Sequence, residues 1–378
     1  MTAVAAQSLH ATIAPRALAD ALAKLLPLAR GANILPVLGC VRISSGHGAL
    51  HLSATDLDQH LAVRVNAEVR TPGLILAPAA QLAQLAKLAA GSTLTIQDSE
   101  GRCVVTSGKS RTRLLSPPVD EWPVAPEVSE TTITLPAAPL LDAMARVAFA
   151  ASSEGFRPIL NGVLWELDAG TLRLVATDGH RMAMAERAVD GVSSDRRPIV
   201  PARAIEAARK VFSADDETLR VTLDDTRIRI ESATATLVAR LVEGPYPDYR
   251  RVLPKESTIA AIVDRAALLA VVRRVAVLAS RDTRKVTLAL SADGVIVTAS
   301  TADAGDATDT APVEAYTGEP ITLGVNASYL LEGLGALATE RVQLFLGTPE
   351  RAVLLCPVDP PPEMGDYRQL LMPMRLLD

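Results

Sequence analysis

Apolar residues recur along this chain with two alternating periods. Leu18, Leu22, Leu25 and Leu26 fall on one face of a helix, as do Leu140, Leu141, Met144 and Val147. Between such stretches the period drops to two, as in Thr93-Leu94-Thr95-Ile96 and Arg227-Ile228-Arg229-Ile230, the mark of strands with one buried face. The pattern predicts six helices, roughly 15–30, 78–90, 138–152, 200–212, 264–281 and 326–338, set among many short strands. Asp293-Gly294 marks a hairpin turn, and Asn326 is placed to cap the last helix by accepting its first free amides.

The order of these elements repeats. Ala-Thr-Asp occurs at 54–56 and again at 176–178, a shift of 122. The strands before it align at the same shift (Pro36 with Pro158), and later landmarks keep the order, Pro78 with Pro201 and Pro123 with Pro247. A fainter third copy runs from the amphipathic stretch 263–280 through the hairpin KVTLALSADGVIVTASTAD to ITLGVNASYLLEGLGALA and VQLFLG. Each copy reads helix, hairpin strands, a strand entering a second helix, then more strands. At about 125 residues a copy has the size of an ordinary domain and is too long for a solenoid unit. The boundaries are expected in the short, polar, proline-bearing segments 126–131 and 254–258, which gives domains 1–126, 127–255 and 256–378. The expected class is therefore α+β, three tandem copies of one domain.

With 49% hydrophobic and 21% charged residues, long disorder is excluded, and with 3% aromatics the core must be built from Ala, Val, Leu and Ile. The first twenty residues lack a basic segment followed by an apolar run, so no signal peptide is expected, and no apolar stretch is long enough to span a membrane. Cys40, Cys103 and Cys356 are scattered without metal-ligand spacing; they are expected to be ordinary buried thiols of a cytoplasmic protein, with no metal or other cofactor. The formal charge of −5 argues weakly against nucleic acid, but its distribution changes the picture. The six predicted helices carry twelve basic residues (Arg16, Lys24, Arg30, Lys87, Arg146, Arg203, Arg209, Lys210, Arg265, Arg273, Arg274 and Arg281) against five acidic ones, a net of +7 that leaves −12 on the rest. Helices sharing one surface would attract phosphate there while the remainder repels it.

One segment looks catalytic. Thr177-Asp178-Gly179-His180-Arg181 sets a histidine beside a carboxylate, the pairing used in general acid–base chemistry. No serine, cysteine or second carboxylate motif accompanies it, and the equivalent Thr55-Asp56 lacks the histidine. The chain has no P-loop and no paired-carboxylate metal motif. No catalytic residue is assigned, and a non-enzymatic protein is expected.

The strings LPVLGCVRI, SATDLD, RPILNGV, ATDGHRMA, VPARAIE, LVEGPYPDYRRVLP and MPMRL span nearly the whole chain and resemble the bacterial β sliding clamp family, the processivity subunit of DNA polymerase III. The resemblance implies a half-ring of three domains, strands outside and helices lining a channel, closed as a head-to-tail homodimer around double-stranded DNA. It implies non-specific phosphate contacts from Lys24, Arg30, Lys87, Arg146, Arg203, Arg209, Lys210, Arg273 and Arg274. It also implies a surface pocket for short peptide motifs of the replicative polymerase, the clamp loader and other partners. Matched residue by residue, that pocket comprises Leu160, Thr177, Gly179, His180, Arg181, Met182, Pro247, Arg251, Val252, Met372, Pro373, Met374 and Arg375. Adaptable Met and Leu side chains suit varied apolar anchors, and Arg181, Arg251 and Arg375 are expected to offer charged hydrogen bonds. The ring seam is expected between edge strands bearing opposite charge: Lys109, Arg111 and Arg113 with Leu114 on one, Asp303, Asp306 and Asp309 on the other, with Val277 and Leu278 nearby. The chain departs from the family at Gly31-Ala32 and Ala79-Ala80-Gln81, where relatives carry basic residues, at Thr112, and in a lengthened segment 356–369 containing Pro360-Pro361-Pro362. An ordinary clamp and a specialised copy with an altered pocket are both compatible with this sequence.

Overall fold

The computed structural model describes residues 8–33, 35–46, 48–168, 170–189, 196–254, 256–301 and 303–376. Six α-helices are present among them: α1 (Pro15–Leu25), α2 (Ala79–Lys87), α3 (Ala137–Ala148), α4 (Ala202–Val211), α5 (Arg265–Val275) and α6 (Ala327–Ala336). Each is launched from a strand, and the junction residues explain how. Pro15 opens α1, while Pro78, Pro136 and Pro201 end the strands that enter α2, α3 and α4. Proline has no amide to leave unsatisfied at a helix start. The other two helices use side-chain caps: Asp264 Oδ1 accepts from the Ala267 amide at 2.6 Å, and Asn326 Oδ1 from the Ser328 and Tyr329 amides at 2.9 and 3.3 Å.

The helices end earlier than periodicity suggests. α1 stops at Leu25, since Leu26 precedes Pro27, which cannot donate to continue the ladder; Arg30 therefore lies beyond the helix. α5 stops at Val275 and passes into a single 3₁₀ turn, Ala276–Leu278. The departure at Gly31 also has a steric reason. A Cβ there would come within 2.9 Å of the Leu38 Cβ, so the position admits no long side chain without moving that core leucine.

The Ala-Thr-Asp landmark is a turn built twice. Thr177 Oγ1 donates to the Arg181 carbonyl (2.6 Å) and accepts from the Gly179 amide (3.1 Å), while Asp178 Oδ1 accepts from the His180 and Arg181 amides. Thr55 and Asp56 make the same bonds to Gln59, Leu57 and Asp58. Both turns place their third residue at positive φ, 91° for Gly179 and 78° for Leu57. Glycine adopts that conformation freely, and leucine does so under strain.

Every strand pairing among the described residues is antiparallel, and the contacts divide the chain into two compact units. The first, Met1–Ala137 with Glu206–Leu241, holds a five-stranded and an eight-stranded sheet. The second, Ala138–Ile205 with Val242–Asp378, holds a nine-stranded and a four-stranded sheet. The larger sheet of each unit runs across a repeat boundary. In the first, Gln59–Asn66 pairs with Ala235–Arg240, with His60 opposite Val238. In the second, Arg181–Ala188 pairs with Asp366–Leu371, with Met182 opposite Leu370. Both junctions thus join the strand after the Thr-Asp turn of one copy to the last strand of the next. The remaining strands of these two types, Ser110–Leu115 and Gly305–Ala311, lie at sheet edges.

Candidate functional site

In the second unit, a cavity of about 270 Å³ opens beside the Thr177–Arg181 turn. Leu160, Met182, Tyr249 and Leu370 form its buried floor, and Met372 and Val252 stand at the rim, 37% and 50% exposed. Thr177, Gly179, Arg181 and Pro247 complete the lining expected from the sequence, and Arg157, Asp248, Tyr249 and Leu370 join them. His180, Arg251, Pro373, Met374 and Arg375 are outside the lining. His180 is exposed, its ring stacked on Tyr329 at 6.3 Å between centroids. Its neighbour Asp178 spends its oxygens on the turn amides and on Arg181 Nε (3.0 Å), so no acid–base pair forms. The Met374 amide bonds the Gly324 carbonyl at 2.8 Å, and Arg375 is exposed.

The two arginines expected to offer charged hydrogen bonds here both have carboxylate partners. Arg181 is 11% exposed, paired with Asp178 and with Glu332 (2.7 Å), and its guanidinium lies 4.4 Å from the Tyr329 ring. Arg251 is paired with Asp248 at 2.9 Å. Arg181, which lines the cavity, is thus answered by two carboxylates, while Arg251, 83% exposed and outside the lining, forms a surface ion pair. Asp178 and Asp248 lie three residues before their arginines, but sequence spacing gives no sign of Glu332, far along the chain.

The cavity floor is held by a group that local sequence did not single out. Glu166, 4% exposed, accepts from the Tyr249 hydroxyl (2.6 Å), Arg173 Nη1 (2.9 Å) and Arg250 Nη2 (2.7 Å) on one oxygen, and pairs with Arg197 (2.7 Å) through the other. Burial acts to raise its pKa. The hydrogen bonds from Tyr249 and Arg173, with the charges of Arg250 and Arg197, outweigh burial and hold the carboxyl below the usual range. Burial and the same hydrogen bond push the Tyr249 phenol up to about 12.

The basic residues expected on the helices fall into two groups. Arg30, Lys87, Arg203, Arg209, Lys210 and Arg273 are exposed. Lys24 is partly buried and donates to the Val211 carbonyl at 3.1 Å. Arg146 is only 11% exposed; it pairs with Asp142 (2.7 Å), donates to the Ala336 carbonyl (2.8 Å) and lies over the Tyr367 ring, so it acts as a structural cation. Arg274 is bound by Asp309 at 2.6 Å. Five of the six helices carry a basic residue in the last turn and none carries an acidic one in the first, a distribution that suits the helix dipole at the C-terminal end.

At the first free edge, Lys109 sits in the turn with Gly108 and is not part of the strand. Arg111 and Arg113 are exposed; Leu114 is buried in its own unit, and Leu115 is the exposed apolar residue, at 69%. At the other edge Asp306 is exposed on its strand and Asp303 lies in the preceding turn. Val277, 79% exposed, and the half-buried Leu278 belong to the 3₁₀ turn after α5. Burial pushes the thiols of Cys40, Cys103 and Cys356 up to about 11, 12 and 11, with Asp98 adding to the shift at Cys103. No group of three or more His, Cys, Asp or Glu able to hold a metal occurs among the described residues, and no helix of theirs is long and apolar enough to cross a membrane.

Three α+β modules whose sheets run on from copy to copy define a tandem clamp-domain chain. Three family models match it: the N-terminal domain of the DNA polymerase III beta subunit over residues 9–126, the central domain over 134–248 and the C-terminal domain over 250–375. The beta sliding clamp of Caulobacter vibrioides is 32% identical over 375 residues, covering 97% of this chain and 99% of that protein. The Pseudomonas aeruginosa clamp is 32% identical over 372 residues, covering 97% and 100%. Among solved structures, the P. aeruginosa sliding clamp bound to griselimycin superposes with a TM-score of 0.91 at 31% identity, over 98% of this chain and all of that one. The beta subunit of Streptococcus pyogenes gives 0.91 at 26% identity, covering 97% and 100%. This chain belongs to the DNA polymerase III beta subunit family, the bacterial sliding clamps.

Proposed function

We propose that two copies of this chain close head to tail into a ring around double-stranded DNA and tether the replicative polymerase to it, without chemistry of their own. One observation carries the reading: two junctions join the same two strand types, and the one remaining strand of each type is a free edge, one bearing exposed Arg111 and Arg113, the other Asp306. A further copy of the junction can form only between two chains, and two such junctions close a ring. The helices supply the inner wall of each half-ring, where the exposed lysines and arginines meet phosphate in any register, which permits sliding. Such a protein works in the cytoplasm, where a clamp loader opens it.

The test is topological. By light scattering the 39.8 kDa chain should have twice that mass. Rings loaded on nicked circular DNA should persist at salt that strips the protein from linear DNA, since direct phosphate contacts weaken steeply with salt. Equal loss from circular and linear DNA would defeat the proposal.

The cavity over Met182 and Leu370 suits an apolar peptide anchor and is the proposed docking point for the polymerase, the loader and other motif-bearing partners. Met372→Ala, at the rim, should weaken a fluorescent polymerase-derived motif peptide by about tenfold, the value of one lost apolar contact of about 1.5 kcal/mol. Anisotropy titration measures it, and unchanged affinity would move the peptide elsewhere.

A further inference from the structure

The first module has its own cavity at the place that corresponds to the Met182 pocket, and its chemistry is inverted. Beneath the second module's pocket, Leu164 stands opposite Val175 in the ladder and Met182 lies second in the next strand, opposite Thr177; Leu164, Val175 and Met182 belong to one apolar cluster. In the first module Arg42 stands opposite Ser53, and His60 lies second in the next strand, opposite Thr55. The register is the same, and each apolar residue has been replaced by a polar one. The support beneath the cavity differs as well. Ser44 occupies the position of Glu166, so the carboxylate that pins Tyr249 has no counterpart, and the cavity is larger, about 430 Å³.

Arg42 and His60 line this cavity with Trp122 and Val124, and Asp120 is also at its wall. Arg42 reaches Ser44 Oγ at 3.3 Å and has no carboxylate partner among the described residues. Burial lowers its pKa, and burial together with the Arg42 charge pushes His60 down to about 4, so His60 is neutral near pH 7. Ser53 Oγ, 4% exposed, is buried without a hydrogen-bond partner on the face that Arg42 occupies. The half-buried guanidinium and the neutral imidazole that line the cavity are partners for an oxyanion. Val124, 92% exposed, and Trp122 add an apolar wall that a bare phosphate would not use.

We propose that this cavity binds an acidic peptide segment of a partner protein, a carboxylate on Arg42 with a neighbouring apolar side chain against Trp122 and Val124. The proposal takes from the peptide reading of the Met182 pocket only the class of ligand. The chain has two tryptophans, and Trp165 is fully buried in the other unit, so fluorine NMR of 5-fluorotryptophan-labelled full-length protein separates the cavity from the rest. The probes are acetyl-Leu-Asp-Leu-amide and acetyl-Leu-Asn-Leu-amide. The aspartyl peptide should shift the Trp122 signal saturably and leave Trp165 in place, with the asparaginyl peptide about tenfold weaker, as expected for loss of one charge-assisted bond. Arg42→Leu, which installs the residue used at this register in the second module, should abolish the shift, and Arg42→Lys should retain part of it. Equal shifts from both peptides, no shift at millimolar concentration, or an equal response to inorganic phosphate or duplex DNA would overturn the proposal. Arg42→Leu should bind the polymerase-derived peptide as the parent does, so failure of the Met372 test and failure of this one are separately visible.

Discussion

Arg113→Glu is expected to weaken the dimer by about 10–100-fold, and Asp306→Arg in the same chain to restore it. The reason is register. His60, Met182 and Asp306 each follow a hairpin turn and face Thr55, Thr177 and Ser300 within their own modules. Across the two internal junctions, His60 meets Val238 and Met182 meets Leu370. Val238 and Leu370 occupy in their modules the place that Arg113 occupies in the first, so the same geometry between two chains sets Arg113 opposite Asp306. A directly opposed pair of unlike charges contributes roughly 0.2–1 kcal/mol, and like charges destabilise by a similar amount. Reversal therefore costs about 1 kcal/mol at each seam, and dissociation of a closed dimer breaks two seams. Sedimentation across a dilution series reads the change. A parental dissociation constant for Arg113→Glu, or a doubly reversed chain as weak as the single variant, would show that the seam lies in another register or on another strand.

The second large effect is expected at Glu166. Glu166→Gln should destabilise the protein by about 2 kcal/mol and Glu166→Ala by about 3 kcal/mol, because each strands arginines built around a buried acid. The figures are kept at or below the lower end of the range for buried pairs, since Arg197 and Arg250 are about half exposed and water screens them. The acid also fixes the peptide site. Tyr249 is pinned to Glu166 and lines the cavity, so the glutamine variant should bind the motif peptide several-fold less tightly at a temperature where it remains folded. The pH dependence follows from the sign of the shift. Glu166 ionises more readily folded than unfolded, so its stabilisation is complete above the unfolded carboxylate pKa and is lost as pH falls through the lower folded value. Urea unfolding of parent and Glu166→Gln should differ most near neutrality and converge in acid. A constant difference at all pH values would show that packing, rather than the charge, is what the side chain provides.

The repeat was legible because it is written in local chemistry. Ala-Thr-Asp specifies a turn through bonds spanning four residues at most, so two copies retain the same letters. Asn326 was legible for the same reason. Helix ends were less so: apolar periodicity continues through Leu26, while Pro27 ends the ladder. At the site, the apolar floor could be matched by motif, but the state of the cations could not. Arg181, Arg146 and Arg274 read as available charges until the partners that hold them, Glu332, the Ala336 carbonyl and Asp309, are brought in from distant sequence. Glu166 sits at an ordinary strand position, and nothing near it announces that Arg173, Arg197, Tyr249 and Arg250 converge there. The exchange of Leu114 for Leu115 as the exposed apolar residue is a matter of strand phase, which one residue inverts.

The sheet junctions also constrain how the chain can be made. The strand Gln59–Asn66 belongs to the first module, yet one side of its hydrogen-bonding edge is filled only by Ala235–Arg240. During synthesis that edge must stay open until the ribosome has passed Arg240, and Arg181–Ala188 must wait in the same way for the final strand. Neither of the first two modules completes itself: each exposes, as it is made, a row of bare amides and carbonyls that its successor covers. Protection from aggregation on the ribosome therefore has to come from a chaperone or from speed.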